Sequence, residues 1–320
     1  MTTRAPADGT PTAVPISVAD ARASLMGWDL AVPASTANLG AGFDALALAL
    51  QMYLRVRVCA VSDTATNGLS FDLCGTPLTG DNYIERAFRA MADRDQATFP
   101  SLSLEVRSEI PMRGGLGSSA AATVAGLRLY ERLTRRPDLD DLLATATRLD
   151  HHADNVSAAL LGGLTLSCVT DSGKVIARSV AWPNEVQAVV AMPGVEIATP
   201  EARKVLPEAY PLADAVFNLQ RALLFVHAIE RREYGLLREA MRDRWHQPQR
   251  ATIIPGLDAA LSLEHPHLMG VCLSGSGPAV VALATGGYDE IERLLSGVYD
   301  RLGVPCQVRT VAAHQSGAKA

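Results

Sequence analysis

Three glycines, Gly114, Gly115 and Gly117, followed at once by Ser118 and Ser119, are the strongest chemical signal in the chain. They sit in Pro111-Met112-Arg113-Gly114-Gly115-Leu116-Gly117-Ser118-Ser119-Ala120-Ala121, between an extended segment, Ser101 to Ile110, and an apolar stripe through Ala120, Val124 and Leu127 at helical spacing. Glycines permit positive φ and close backbone approach to a ligand, and Ser118 or Ser119 is placed to cap the helix that follows. A helix N-terminus presents free N–H groups and partial positive charge, so the chemistry expected here is phosphate binding. Gly115 to Ala120 also fits the dinucleotide pattern G-x-G-x-x-A. That motif needs a second strand and an acidic residue about 20 positions on, whereas this helix runs into Thr134-Arg135-Arg136-Pro137 and a second helical segment. A Walker A loop needs a lysine, and none occurs before Lys174. A plain glycine turn between strand and helix remains the third reading.

Other residues could do chemistry on either side of this loop. Asn38 and Asp44 lie in Pro33-Ala-Ser-Thr-Ala-Asn38-Leu-Gly-Ala-Gly-Phe-Asp44, which read alone is a turn between strands. An amide and a carboxylate there can hold a hydroxyl and an ammonium group. Asp150-His151-His152-Ala153-Asp154-Asn155 gathers titratable groups but lacks the i, i+4 histidine pair of helical zinc sites. An exposed polar turn is the alternative there. Arg203 and Arg250 stand in loop-like segments where most arginines are solvated, and Ser274-Gly275-Ser276-Gly277-Pro278 is a glycine turn between two apolar strands.

The elements that must position these residues follow from composition and periodicity. With 320 residues and 48% hydrophobic content the chain can bury a large core, which predicts two domains. A net charge of −5 without a basic run argues against a nucleic-acid partner. No apolar run reaches membrane length, and the N-terminus lacks a basic-then-apolar signal segment. Five scattered cysteines without C-x-x-C spacing read as buried apolar residues in a reducing compartment. The expectation is a soluble cytoplasmic protein with no membrane partner. Residues 1–27 are expected to be a flexible tail, 28–181 one domain and 182–320 another. Asp81 is expected to cap a helix through Met91, Asp140 to Leu149 to form a second, and Asp214 to about Asp243 to form long helical segments.

The glycine loop resembles the ATP-binding motif Pro-x-x-x-Gly-Leu-Gly-Ser-Ser-Ala-Ala of the GHMP kinases, the group that includes galactokinase, homoserine kinase and mevalonate kinase. Two more motifs flank it in that family's order: Pro33 to Asp44 in the form homoserine kinases carry, and Ser274 to Pro278. Three further segments resemble homoserine kinase patterns: Asp150 to Gly163, Thr199-Pro-Glu-Ala-Arg203-Lys-Val-Leu-Pro207, and His246-Gln-Pro-Gln-Arg250. The resemblance covers roughly residues 30 to 312.

It implies an α+β fold in two parts, the N-terminal one like ribosomal protein S5 domain 2 and the C-terminal one ferredoxin-like. It also implies ATP-dependent phosphorylation of the L-homoserine hydroxyl to O-phospho-L-homoserine, in threonine synthesis, with Mg²⁺. A kinase for mevalonate or a sugar, or a non-catalytic binder on the same fold, is the alternative. By the resemblance, Pro111 to Ala121 and Asn82 bind ATP. Asn38, Asp44, His152, Asp154, Thr199, Arg203, Arg250 and Gly275 bind substrate, Ser119 and Asp150 hold the metal, and Ser119, Asp154 and Asn155 serve catalysis. Asp150 replaces a glutamate, His151 a glycine and Ala153 a proline. Asn155 stands where many members place a catalytic aspartate; an amide cannot accept the hydroxyl proton, which leaves it to a phosphate oxygen or a nearby group. A homodimer is compatible with this reading.

Overall fold

A computed structural model describes residues 14–64, 66–74 and 81–318. In chain order the elements are α1 (Val18–Leu25), β1 (Asp29–Ala37), β2 (Leu46–Val61), β3 (Leu69–Asp72), α2 (Tyr83–Arg94), β4 (Leu102–Ser108), α3 (Ser118–Thr134), α4 (Leu139–Asp150), α5 (Ala153–Leu161), β5 (Leu164–Val169) and β6 (Val175–Val180). They continue as β7 (Gln187–Pro193), α6 (Thr199–Lys204), α7 (Leu212–Arg231), a 3₁₀ turn (Tyr234–Leu236), α8 (Leu237–Ala240), α9 (Gln247–Arg250), α10 (Leu257–Leu261), β8 (Leu268–Leu273), β9 (Val280–Ala284), α11 (Tyr288–Asp300) and β10 (Cys306–Val311).

The first sheet runs β3-β4-β2-β5-β6, with β1 antiparallel along β2. Strand β2 explains a sequence that reads as an apolar run and then an alternation. Its first five residues, Leu46 to Leu50, are buried on both faces, and from Gln51 onward exposed positions recur between buried ones. One strand thus crosses from the middle of the fold to a half-covered region.

The second sheet has the order β10-β7-β9-β8 and every pair is antiparallel. That β-α-β-β-α-β arrangement is the ferredoxin-like one expected. Both of its faces are buried, and the strand period of two divides them. Ala188, Val190, Val281 and Leu283 join the core of the first half. Val189, Ala191, Val280 and Ala282 build a separate core with α10 and α11. The two halves therefore share one hydrophobic core, which a cut at residue 181 divides.

The C-terminal residues cross the same boundary. Gly163 N–H donates to His314 O (2.7 Å), Ala318 N–H to Ala159 O (2.8 Å), and Gln315 is hydrogen-bonded to both the N–H and the C=O of Trp182. Residues 314–318 thus bond to α5 and Gly163 of the first half as well as to Trp182.

The fold also begins before Trp28. Ser17 accepts the Asp20 N–H as N-cap of α1, and Ala21 and Leu25 are fully buried, so within the expected tail only residues 1–13 lie outside the described residues. The cap of α2 is Asn82 rather than Asp81, with its side-chain oxygen accepting from Ile84 and Glu85. The helical stretch after Asp214 breaks at Arg232, where φ is 60°. Helix α7 is long and apolar enough to cross a bilayer by length and composition, with mean hydropathy 1.3. Its buried residues, Asn218, Phe225, Ala228 and Ile229, nevertheless tie it to the protein.

Ending the chain after Val311 should lower the Tm by at least about 5 °C, since each lost kcal/mol is worth about 2–4 °C in a chain of this size. Calorimetry of the truncated protein checks this, and an unchanged Tm would mean the closing segment contributes nothing to the first half.

Candidate active site

The glycine loop enters α3 without a side-chain cap. Gly117 is the N-cap with φ 70°, and Ser118 and Ser119 lie inside the helix rather than capping it. Gly115 and Arg113 also have positive φ, whereas Gly114 does not. A side chain on Gly117 would overlap Ser35 Oγ, so the tight turn and the close approach both require glycine. The loop's carbonyls are held from behind. Ser35 N–H donates to Leu116 O (3.1 Å), Ala279 N–H to Gly114 O (3.1 Å) and Ser274 Oγ to Gly115 O (2.7 Å). With those oxygens occupied, the uncapped N–H groups of the first helical turn are left to meet an anion.

The expected nucleotide residues divide by burial. Leu116, Ala120 and Ala121 anchor the loop in the core, Pro111 is half-buried, and Met112 and Arg113 are exposed. Arg113 reaches across to Glu196 (3.2 Å) in the second half. Asn82 spends its oxygen on capping α2, and one turn on, Arg86 lies over the Tyr83 ring and donates to Leu149 O (2.7 Å).

On the acceptor side, Asn38 and Asp44 both adopt positive φ in the loop after β1. Asn38 is buried; it donates to Gly275 O (3.0 Å) and accepts the Asp44 N–H (3.0 Å). Its amide thus uses one donor and one acceptor to shape the loop. Asp44 faces Arg203 of α6, whose Nη2 lies 2.7 and 2.8 Å from the two carboxylate oxygens. Arg203 and Arg250 both lie over the Phe43 ring, at 5.1 and 5.6 Å.

Arg250 is 2% exposed and donates to Ala202 O (3.2 Å), Gly275 O (2.9 Å) and His246 Nδ1 (3.2 Å). Burial, and then the neighbouring Arg203, pull its pKa down to about 10. His246 passes the connection on through Nε2–H to Gly40 O (2.8 Å); burial lowers its pKa, which keeps the ring neutral. Thr199, exposed at the start of α6, meets Ser276 Oγ at 3.3 Å.

Between nucleotide loop and acceptor pocket lies the turn from α4 to α5. His152 is the N-cap of α5 and its Nδ1 donates to Asp150 O (3.2 Å). Burial raises the pKa of the Asp150 carboxylate, while the nearby Ser119 hydroxyl, His152 and Arg86 oppose the rise. A hydroxyl and a carboxylate with a desolvated charge are hard oxygen donors, so the pair fits Mg²⁺ shared with phosphates. The zinc alternative finds no support: among the described residues no three His, Cys, Asp or Glu side chains converge as ligands.

Asp154 is 3% exposed, and its pKa is pushed up to about 7, first by burial and then by Asp44 and Asp150. The Asn155 N–H, donating to its Oδ1 (2.6 Å), and Arg203 act the other way. Asn155 accepts from Ser35 Oγ (2.8 Å) and its Nδ2 donates to Asp154 Oδ1 at 3.4 Å, which leaves the second N–H of that amide for a ligand.

Sequence reasoning missed Ser35, Phe43 and His246 as site residues. All three stand inside the motifs noted, so position in the motif was the signal, but the contacts Ser35–Asn155, Phe43–Arg203 and His246–Gly40 join residues 120 to 206 positions apart.

Known proteins match over the same ground. The family described as GHMP kinases N terminal domain matches residues 82–163, and GHMP kinases C terminal matches 225–298. A homoserine kinase of Solibacter usitatus is 37% identical over 276 residues, spanning 85% of this chain and 90% of its own. A homoserine kinase of Persephonella marina is 34% identical, spanning 90% and 96%. The crystal structure of homoserine kinase from Cytophaga hutchinsonii superposes with a TM-score of 0.79 at 27% identity, covering 91% of this chain and 96% of that one.

The Ser35–Asn155 bond yields a direct test. Ser35→Ala should lower turnover about tenfold, as for one lost hydrogen bond at a reacting group. In an Asn155→Ala background it should have no further effect, because the amide it orients is gone. Turnover losses that simply multiply would place the role of Ser35 elsewhere.

Proposed function

The chain belongs to the homoserine kinases of the GHMP kinase family, and from that membership we propose that it transfers the γ-phosphoryl group of ATP to the side-chain hydroxyl of L-homoserine. The product is O-phospho-L-homoserine, on the route to threonine. The observation that carries the substrate class is the Asp44–Arg203 pair with Arg250 beside it. An amino acid brings one ammonium and one carboxylate, the complements of these groups. Mevalonate would leave the Asp44 charge without a cation, and a sugar offers neither charge.

In this reading the free N–H groups at the start of α3 hold the ATP phosphates. Ser119 and Asp150 would hold Mg²⁺, which when bound neutralises phosphate charge. Arg203 takes the substrate carboxylate and Asp44 its ammonium, which aims the side-chain hydroxyl toward α5. Asn155 Nδ2 positions the reacting oxygens. As the new O–P bond forms and the bond to ADP breaks, the hydroxyl proton passes to Asp154, whose pKa of about 7 suits a general base near neutral pH. Asp154 takes the place of the phosphate oxygen among the proton acceptors the sequence left open. All five cysteines are free, but against expectation only Cys272 is buried, while Cys59, Cys74 and Cys168 are exposed.

Two experiments test this. With ATP and Mg²⁺, a panel of homoserine, serine, threonine, mevalonate and galactose should give turnover with homoserine far above the rest. Activity confined to mevalonate or galactose would overturn the substrate, and no phosphotransfer at all would favour a binding protein.

For Asp154, kcat/KM should fall about tenfold per pH unit below pH 7, and Asp154→Asn should abolish that limb while costing about 10²–10⁴ in rate. The sign for stability is opposite. A carboxyl whose folded pKa lies near 7 and unfolded pKa near 3.9 loses stability as pH rises between the two values. Asp154→Asn should therefore raise the Tm at pH 8 and leave it unchanged at pH 4. A parallel change at both pH values would show that burial does not strain this charge.

A further inference from the structure

Phe43 is a large aromatic side chain that stays half-buried and joins neither hydrophobic core. Cations gather on it instead. The guanidinium of Arg203 lies 5.1 Å from the ring centroid and that of Arg250 5.6 Å, both within the range of cation–π attraction. We propose that Phe43 is a positioning residue of the acceptor pocket, its ring face setting the spacing of Arg203 and Arg250 and through them the seat of the substrate carboxylate. This role rests on the reading of the pocket as an amino-acid site.

The ring is itself held in place. Asn38 O accepts the Gly42 N–H (2.9 Å) and Asn38 Oδ1 the Asp44 N–H (3.0 Å), which closes the loop on either side of Phe43. The ring stacks on His246, with centroids 5.2 Å apart and planes at 28°, and meets Trp245 edge to face at 6.4 Å. His246 is fixed by Gly40 O, and burial keeps its ring neutral, so it brings no third cation.

Such a platform answers a specific difficulty. Two guanidiniums that must meet one carboxylate repel each other before it arrives; burial and then Arg203 pull down the pKa of Arg250. Asp44 balances Arg203, but all three acceptors of Arg250 are neutral: Ala202 O, Gly275 O and His246 Nδ1. Those bonds use Nε and Nη1 and leave Nη2 for a ligand, so the tilt of this guanidinium decides whether it reaches a carboxylate. A π face attracts both cations without accepting their remaining N–H groups as a carboxylate would. Arginines also gather at Phe217, but there each is paired with a carboxylate, Arg221 and Arg242 with Glu239 and Arg244 with Asp214. At Phe43 the ring is the attraction that Arg203 and Arg250 share.

Ring-fluorinated phenylalanines introduced at position 43 drain the π face step by step at nearly constant shape. From phenylalanine through the monofluoro and difluoro to the trifluoro ring, KM for homoserine should climb at each step to about tenfold. Turnover number, KM for ATP and Tm should stay level. Phe43→Leu, which keeps apolar bulk without a π face, should give the same rise of about tenfold. KM for the methyl ester of homoserine, which brings no carboxylate to the arginines, should show no trend. A level KM for homoserine across the series, or an equal rise for the ester, would overturn the role of Phe43 while leaving homoserine as the substrate. A wild type that turns over no homoserine would instead fail the substrate reading, and this inference with it.

Discussion

The carbonyl oxygen of Gly275 accepts two buried donors, Asn38 Nδ2 and Arg250 Nη1, and the site is assembled around it. One acceptor joins the loop after β1, the turn after β8 and the segment through α9. Each donor would carry a desolvation cost if left unpaired inside the protein, and for a guanidinium that cost is large. The turn around Gly275 also holds the nucleotide loop, since Ser274 Oγ bonds Gly115 O and Ala279 N–H bonds Gly114 O. Phosphate side and acceptor side are thereby fixed to the same few atoms, which is what in-line transfer between two bound molecules demands.

Charge is arranged on this frame in close pairs and like-charge neighbours: Asp44 faces Arg203, while Asp154 and Arg250 carry a cost of burial. Asp44 and Asp150 add to the burial that pushes Asp154 toward the neutral form, and burial does the same to Asp150. Arg203 and Arg250 lie over one aromatic ring, and the second loses proton affinity because the first is close. In the proposed reading an amino-acid zwitterion and the ATP phosphates would supply further partners. The folded chain thus stores an electrostatic cost at its site that ligands relieve, a common condition of catalytic centres.

Helix α7 couples this centre to the outside of the molecule. Its inner side props Asp243, which orders the main chain into His246, and its outer side carries the exposed Leu212, Leu219 and Leu223.

Much of this was legible before any coordinates. The glycine loop and the strand into α3 follow from local spacing, while the ferredoxin-like half and the singling out of Asp44, Asp154, Asn155 and Arg203 came from the resemblance to GHMP kinase motifs in a fixed order. Those features depend on neighbours within a few residues, where φ preference, capping and periodicity act. Tertiary structure alone decided which ends of the side chains are free. It closed Asn38 and most of Arg250 into the protein, paired Asp44 with Arg203, and set Ser35 against Asn155 across 120 positions. It also began the fold at α1 and bonded residues 314–318 to the first half, because burial of Ala21, Leu25 and Ala318 depends on distant surfaces. A side chain's type is written in the sequence, but whether its hydrogen bonds are spent or available depends on what the fold brings beside it.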